Sequence, residues 1–329
     1  MLLLLFGVEV YSQTPSVVYL GNRNIKVGIR PGIGGRIVFF GLTDRGNILK
    51  QDTVLWNEPE AAKPGPETVN SYKPYHGNQV WLSPMGQWWQ NQNIYPSKKG
   101  DRWPPDPYLI YSSNKIISRS NSAMVWQSPE SPLSGIQLTQ QIEIIGTASL
   151  SYRVKATNVR DTALSWGLWI NTPVEGKARC FVKVSSVNSV KIKDKEKLLH
   201  MMPYSVVDSF FSFDPYQIEV KEAKIYSKAC ITPLMHLIAV FHKNQLMIIE
   251  TIGVESEKIH PDQNEIEIFN QIAPDPVEDL LELEFHSAYK TIAPGESIAM
   301  EQVWTLFPYD GSEKRDDQLK FLLSKLSCL

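Results

Sequence analysis

The chain has 329 residues, of which 43% are hydrophobic and 21% are charged, and its formal net charge is −2. This composition excludes a disordered chain and is sufficient for one large β domain or two smaller domains. The weak net charge and the absence of a long basic run argue against nucleic acid or an anionic membrane surface as a partner.

The first residues combine a short apolar run with small and polar residues at Ser12 and Gln13. The run is too short to span a bilayer, so we expect no membrane insertion. It is typical of the end of a secretory signal peptide that has lost its basic beginning. We therefore predict a truncated signal at residues 1–13, a single domain at 14–329, and a periplasmic or secreted protein. A buried first strand is the alternative for this segment.

Alternating apolar and polar residues predict antiparallel strands along most of the chain. Residues 16–30 have the pattern of a hairpin. The glycines of PGIGGRIVFFGL indicate a tight turn into an interior strand rather than a phosphate loop. Further strands are predicted at 123–127, 135–145, 149–158, 162–172, 234–242, 245–252, 265–270, 280–287 and 297–307.

Helical spacing of leucines occurs only in the tail, residues 312–329. That helix would pack on the outside of a sheet or against a partner subunit. Residues 191–197 form a charged run expected in a solvated turn or edge, whereas residues 201–216 have no clear period. Many strands without interleaved helices predict an all-β, antiparallel domain with a short C-terminal helix.

A proline-rich segment, residues 72–108, holds four of the nine tryptophans together with many amide side chains. Its prolines exclude a long helix or a central strand, so we expect a long structured loop. Flat aromatic faces beside amides suit a sugar, whose C–H faces stack on rings while its hydroxyls need hydrogen-bond partners. The alternative is a loop that packs its own tryptophans as a small core.

Three cysteines, Cys180, Cys230 and Cys328, lack the spacing of a zinc site, and one disulfide among them would leave a free thiol. Acidic residues at 262–279 could ligate calcium. Their spacing fits no known calcium loop, however, and favours a solvated acidic loop. We expect no cofactor, with calcium as the one ion left open.

A series of motifs along the chain carries a resemblance to a known family. The series runs from the GGRI turn and a His-Gly loop through long antiparallel strands to IEIFNQ, LELEF, APGES and VWTLF. In this order the chain resembles the galactose mutarotase-like β-supersandwich. More closely, it is similar to a bacterial family of uncharacterised exported domains with that fold.

The resemblance implies roles for particular residues. Glu282 falls at the position of the base that acts on the anomeric hydroxyl, and Glu284 stands where the family has Gln. Strand alternation places both on one face, where two carboxylates could share a proton or bind a cation. The alternative is that both are surface acids. His76 matches the histidine of the His-Gly loop that contacts the sugar.

One departure from the family bears on catalysis. The strand that should carry a second histidine, the acid for the ring oxygen, spans Trp166 to Asn171 and contains none. Mutarotation is therefore in doubt. The candidate sugar-binding residues are Arg36, Asn78, Gln79, Trp81, Trp88, Arg102, Trp103, Trp166, Trp169, Asn171 and Glu284.

The arginines of this set, Arg36 and Arg102, could bind the carboxylate of a uronic acid. An ion pair with Asp101 or Asp106 is the alternative for Arg102. Three functions remain open: an aldose-epimerase-like isomerase, a non-catalytic glycan-binding module, and a structural protein whose tryptophans lie in a partner interface. A glycosidase would need a second carboxylate across a cleft, and the sequence leaves the oligomeric state open.

Overall fold

The computed structural model describes residues 17–56, 62–194, 204–214, 222 and 224–327. The predicted signal segment 1–13 lies outside these residues, so export stays a prediction. The described residues form twenty strands and three helices. The strands are β1 (Val18–Gly21), β2 (Ile25–Arg30), β3 (Arg36–Leu42), β4 (Gln79–Ser83), β5 (Lys115–Arg119), β6 (Ala123–Gln127), β7 (Ile136–Ile145), β8 (Ser149–Asn158), β9 (Leu164–Glu175), β10 (Arg179–Lys183), β11 (Val190–Asp194), β12 (Tyr204–Val207), β13 (Phe210–Phe213), β14 (Ile225–Ile231), β15 (Leu237–His242), β16 (Gln245–Ile252), β17 (Ile266–Ile272), β18 (Leu280–His286), β19 (Lys290–Ile292) and β20 (Ser297–Pro308). The helices are α1 (Thr53–Trp56), α2 (Pro107–Ile110) and α3 (Arg315–Leu326).

The strands form two large sheets and one small one. The larger sheet has ten strands in the order β12-β13-β10-β15-β16-β20-β8-β7-β6-β5. The smaller sheet has seven, in the order β11-β14-β17-β18-β9-β19 with β4 also paired to β9, and β1-β2-β3 form a separate sheet. Every pairing of these strands is antiparallel, so the predicted all-β class and antiparallel architecture are confirmed.

The inner faces of the two large sheets share one apolar core. Because side chains alternate along a strand, each sheet directs every second residue into this core. Buried members include Ile142, Tyr152, Val154, Trp304, Ile268, Leu281, Leu283 and Phe285. The outer face of each sheet is therefore available for other roles.

The glycine turn before β3 has the predicted conformation. Gly34 and Gly35 have φ angles of +65° and +66°. A Cβ atom on Gly35 would lie 2.2 Å from Nε1 of the buried Trp126. Both the backbone conformation and the close approach therefore require glycine here.

The segment 72–108 contains a strand that the prolines did not predict. Strand β4 lies between Pro74 and Pro84 and pairs with β9, with Gln79 opposite Asn171. The prediction of a loop is corrected for this stretch, because the prolines flank the strand instead of interrupting it. Residues 204–213 similarly form a hairpin, β12–β13, where the sequence had no clear period.

Helix α3 packs on the outer face of the larger sheet. Leu319 and Leu322 are buried against Phe181, Phe241 and Leu246 in a second apolar cluster. Packing on the outside of a sheet was the first of the two arrangements expected for this helix. No described helix has both the length and the apolar character needed to cross a membrane. Cys180 and Cys230 are free and buried, and Cys328 lies outside the described residues.

Candidate functional site

Strand β18 carries its polar residues on the face that points away from the sandwich core. Leu281, Leu283 and Phe285 are buried in the core between the sheets. Alternation directs Glu282, Glu284 and His286 to the opposite side. We call this outer side of the smaller sheet the site face.

Strand register extends this polar set across five strands. The row through Glu284 consists of Cys230, Glu267, Glu284, Asn171 and Gln79, each paired with its neighbour in the register. The row through Glu282 consists of Lys228, Phe269, Glu282 and Pro173. Residues from five distant parts of the chain thus converge on the site face.

The ammonium of Lys228 lies between two buried carboxylates. Its Nζ is 2.7 Å from Oε2 of Glu284 and 2.8 Å from Oε2 of Glu267, and each of these acidic side chains is only 1% exposed. The same Nζ lies 4.8 Å from the ring centroid of Trp169. Two buried carboxylates would strongly oppose folding without this cation.

The charges of this cluster shift the pKa values in different directions. Burial raises the pKa of Glu267, but Lys228 and His286 together lower it by a larger amount. The resulting pKa lies below the usual range of a glutamate. Burial lowers the pKa of Lys228, but Glu284 and Glu267 raise it by more. Burial raises the pKa of Glu284 well above its ordinary value, and its neighbours Glu267 and Glu282 add to this effect. Lys228 therefore stabilises the ionised form of Glu267, whereas Glu284 keeps its proton to a higher pH than an ordinary glutamate does.

Glu282 is the one carboxyl group of this set that keeps part of its surface in solvent. Burial raises its pKa to about 7, and the amide of Asn171 and the charge of Lys228 oppose this rise. A carboxyl group with such a pKa is present in both protonation states near neutral pH. That property suits a general acid or base.

The ligand atoms of Glu267, Glu284 and His286 lie within 4.8 Å of one another, a spacing that could hold a metal ion. Lys228 already donates to both carboxylates, however. Calcium also requires six to eight oxygen ligands, which this group does not supply. The cluster as arranged therefore does not fit a calcium ion.

Three of the predicted tryptophans form a buried cluster on the site face. Trp81, Trp88 and Trp169 are 3–4% exposed. The ring centroid of Trp81 is 4.9 Å from that of Trp169 and 5.8 Å from that of Trp88, both at steep angles. Trp103 covers this cluster and is 45% exposed. The aromatic surface open to a ligand here is therefore that of Trp103.

The indole nitrogens of this cluster have unused hydrogen-bonding capacity. Trp88 donates to the carbonyl of Leu82, but the buried Nε1 atoms of Trp81 and Trp169 have no partner among the described residues. Buried polar groups in proteins almost always have partners. These two N–H groups are therefore candidates for donation to a bound hydroxyl.

Tyr72 connects the aromatic cluster with Glu282. Its hydroxyl makes hydrogen bonds with both amide atoms of Gln79, at 2.9 and 3.1 Å, and its ring contacts Trp103. Burial raises the pKa of Tyr72, and the nearby charge of Glu282 contributes to the rise. Asn78, by contrast, donates to the hydroxyl of Thr172 inside the fold.

Arg36 is a buried residue that supports the His-Gly turn. Its terminal nitrogens donate to the carbonyls of His76 and Ile110. His76 itself has a φ angle of +53°. Burial, Lys50 and Arg36 lower the pKa of its imidazole to about 3. His76 is therefore neutral at physiological pH and can serve as a polar contact but not as a cationic acid.

Arg102 is exposed beside Trp103. The two acids considered as its ion-pair partners have other contacts. Asp101 pairs with Lys98. Asp106 caps the start of α2, where it accepts from the backbone nitrogen of Tyr108 at 2.9 Å and from the hydroxyl of Ser131 at 2.5 Å.

Sequence reasoning missed Tyr72, Lys228, Glu267 and His286. Glu267 could have been found, because IEIF alternates in the same way as LELEF and pairs with it. His286 is the last residue of β18, and its ring centroid lies 4.9 Å from that of Trp169. Strand β18 is the neighbour of β9, the strand in which the expected second histidine is missing. Burial lowers the pKa of His286 against the opposing effect of Glu267, whose Oε2 lies 3.6 Å from Nε2 of His286.

Comparison with solved structures identifies the fold. The chain is similar to the Slr1438 protein from Synechocystis sp. PCC 6803, with a TM-score of 0.59, 11% identity, and coverage of 92% of this chain and 100% of that one. It is also similar to a galactose mutarotase-like protein from Clostridium acetobutylicum (TM-score 0.53, 11% identity, coverage 89% and 95%). The third is a candidate aldose 1-epimerase from Klebsiella pneumoniae, with a TM-score of 0.56 and 13% identity. The match covers 88% of this chain and 78% of that one. These likenesses confirm the predicted galactose mutarotase-like fold.

A search of curated proteins finds no match. One family model, described as a domain of unknown function (DUF4380), matches residues 16–307. The match spans nearly the whole chain, as the resemblance to an uncharacterised mutarotase-like family predicted. The chain belongs to the DUF4380 family.

Proposed function

We propose that the chain binds a saccharide on the site face and acts on it as an aldose-epimerase-like isomerase with Glu282 as the base. The observation that carries the proposal is the state of Glu282. It is the partly exposed carboxyl group above a buried cluster of charged side chains, with a pKa raised to about 7. The fold shared with mutarotase-like proteins supports a sugar ligand.

The proposed chemistry is a proton transfer at the anomeric centre. Glu282 takes the proton of the anomeric hydroxyl as a carbonyl forms there, the bond between the anomeric carbon and the ring oxygen breaks, and the ring oxygen accepts a proton. Rotation of the carbonyl and closure of the ring on its other face reverse both proton transfers and give the other anomer. Because the imidazole of His76 is neutral at physiological pH, it does not supply a cationic acid for this step. Tyr72 keeps its phenolic proton and lies near Glu282, so it is the candidate donor.

The remaining predicted residues would bind and orient the sugar. Trp103 offers the exposed stacking surface, and the indole N–H groups of Trp81 and Trp169 are available to hydroxyls. The Asn171 amide faces Glu282 and the Gln79 amide holds Tyr72. We further propose that the protein acts outside the cytoplasm, as the N-terminal sequence predicts.

A binding screen followed by one substitution tests the proposal. Tryptophan fluorescence and calorimetry would be recorded with neutral sugars, uronic acids and oligosaccharides. Interconversion of anomers would then be followed by NMR for each ligand that binds. We expect Glu282→Gln to reduce interconversion by about a hundredfold or more while binding persists.

The matched control is Glu143→Gln, an exposed glutamate on β7 in the larger sheet, which should retain both properties. Binding without interconversion in the wild type would support the alternative, a glycan-binding module, which the missing second histidine favours. A failure of every sugar to bind would contradict the proposal and favour a structural role.

A further inference from the structure

Two aromatic rings on the site face were not recognised in the sequence. Phe269 lies opposite both Glu282 and Lys228 in the register, and Tyr226 precedes Lys228 by two residues on the same strand. Alternation therefore places Phe269 and Tyr226 on the site face. Their rings are stacked, with 6.1 Å between centroids and 28° between planes.

These rings are not part of the apolar interior. Tyr226 is 38% exposed and Phe269 is half-buried, and neither ring belongs to the two apolar clusters formed by the described residues. A stacked aromatic pair that contributes to no core, directly beside a titratable carboxyl group, has the character of a ligand platform.

The platform and Trp103 lie on different sides of Glu282. Trp103 belongs to the segment that covers β4 and β9, whereas Phe269 and Tyr226 lie on β17 and β14, in the other direction across the sheet. Tyr226 is two strands away from Glu282, a lateral distance of roughly 10 Å. One sugar ring cannot span this distance, but a ring bound at Glu282 and the next ring of a chain can.

We infer that the site takes a reducing oligosaccharide, with its terminal residue at Glu282 and the next residue stacked on Phe269 and Tyr226. The inference rests on the proposed function, because opening of a ring requires a free anomeric hydroxyl and so fixes the reducing end at Glu282. The C–H face of the second ring would cover the exposed phenol of Tyr226. Tyr226 and Phe269 would then set the preference for chain length.

The test compares disaccharides with their monosaccharides. Glucose, galactose, cellobiose, maltose and lactose would be titrated calorimetrically into the wild type, Tyr226→Ala and Phe269→Ala. We expect the wild type to bind at least one disaccharide about tenfold more tightly than the corresponding monosaccharide. Both substitutions should remove this difference. Tyr226→Ala, two strands away from Glu282, should also leave the affinity for the monosaccharide unchanged.

Tyr19 provides a matched control. It is 44% exposed and contacts Phe39 at 6.0 Å between ring centroids, but it lies in the separate sheet of β1, β2 and β3. Tyr19→Ala should keep the preference for the disaccharide. Equal affinities in the wild type, or a preference that survives Tyr226→Ala, would overturn the inference and leave the proposed function standing. If no sugar binds, the proposed function fails and the inference with it.

Discussion

Glu282 is a residue at which folding and the proposed chemistry make opposite demands. Burial favours its neutral form, so the folded state binds a proton that the unfolded chain releases near the ordinary pKa of 4.5. Between this value and the folded pKa of about 7, the folded protein holds more protons than the unfolded one. Stability therefore falls as the pH rises through this range.

Replacement of Glu282 by Gln should remove this penalty. Relative to the wild type, Glu282→Gln should gain ~1–3 kcal/mol in unfolding free energy between pH 5 and pH 8, after allowance for partial exposure. Urea unfolding of both proteins at the two pH values measures the difference. A stability difference that stays constant with pH would show that the folded pKa of Glu282 is not raised. No ligand is needed for this experiment.

How far the site could be predicted differs from residue to residue. The alternation of LELEF was sufficient to place Glu282 and Glu284 on one face, because it depends on one strand alone. Which of the two reaches solvent depends on Lys228, Glu267 and the covering segment, none of which is close in sequence. Lys228 itself stands in a strand with no distinguishing pattern, so only the pairing of β14 with β17 reveals its position.

At the scale of elements, α3 shows how one amphipathic helix closes the outer face of the larger sheet. Its leucines at three- and four-residue spacing were recognisable because helical periodicity is a local property. Strand β4 and the hairpin β12–β13 were not recognised. Strand β4 has three consecutive apolar residues between Gln79 and Ser83, and the hairpin is rich in aromatics on both faces, so neither has a clear period of two.

The two neighbouring leucines of α3 allow a matched comparison. Leu322 is fully buried and Leu323 is 47% exposed. We expect Leu322→Ala to lower the unfolding free energy by about 2–5 kcal/mol because it leaves a cavity. Leu323→Ala should change it by no more than about 0.5 kcal/mol. Urea denaturation of the two variants provides the values, and similar losses for both would contradict the packing of α3 described here.

At the scale of the whole molecule, the two large sheets share one core and should unfold together. Each sheet carries one buried free thiol, Cys180 on β10 and Cys230 on β14. Burial raises the pKa of Cys180 to about 12 and that of Cys230 to about 11, so neither should react with thiol reagents in the native protein.

This pair of cysteines tests whether residues 14–329 form a single domain. Two variants would be made, each of which keeps only Cys180 or only Cys230, with serine at the other cysteine positions. After correction for the stability of each variant, labelling of Cys180 in one and of Cys230 in the other should rise at the same urea concentration. Labelling of one sheet well before the other would indicate two independent units.

The row of paired residues on the site face has a consequence for the history of the protein. Gln79, Asn171, Cys230, Glu267 and Glu284 meet only because four strand pairings are each in the correct register. A slip of one residue in any strand would turn its polar side chain into the core. Fragments and partly assembled sheets would therefore lack the site altogether. New specificities are more readily reached by substitutions on the finished sheet and its covering segment than by exchange of pieces of the chain.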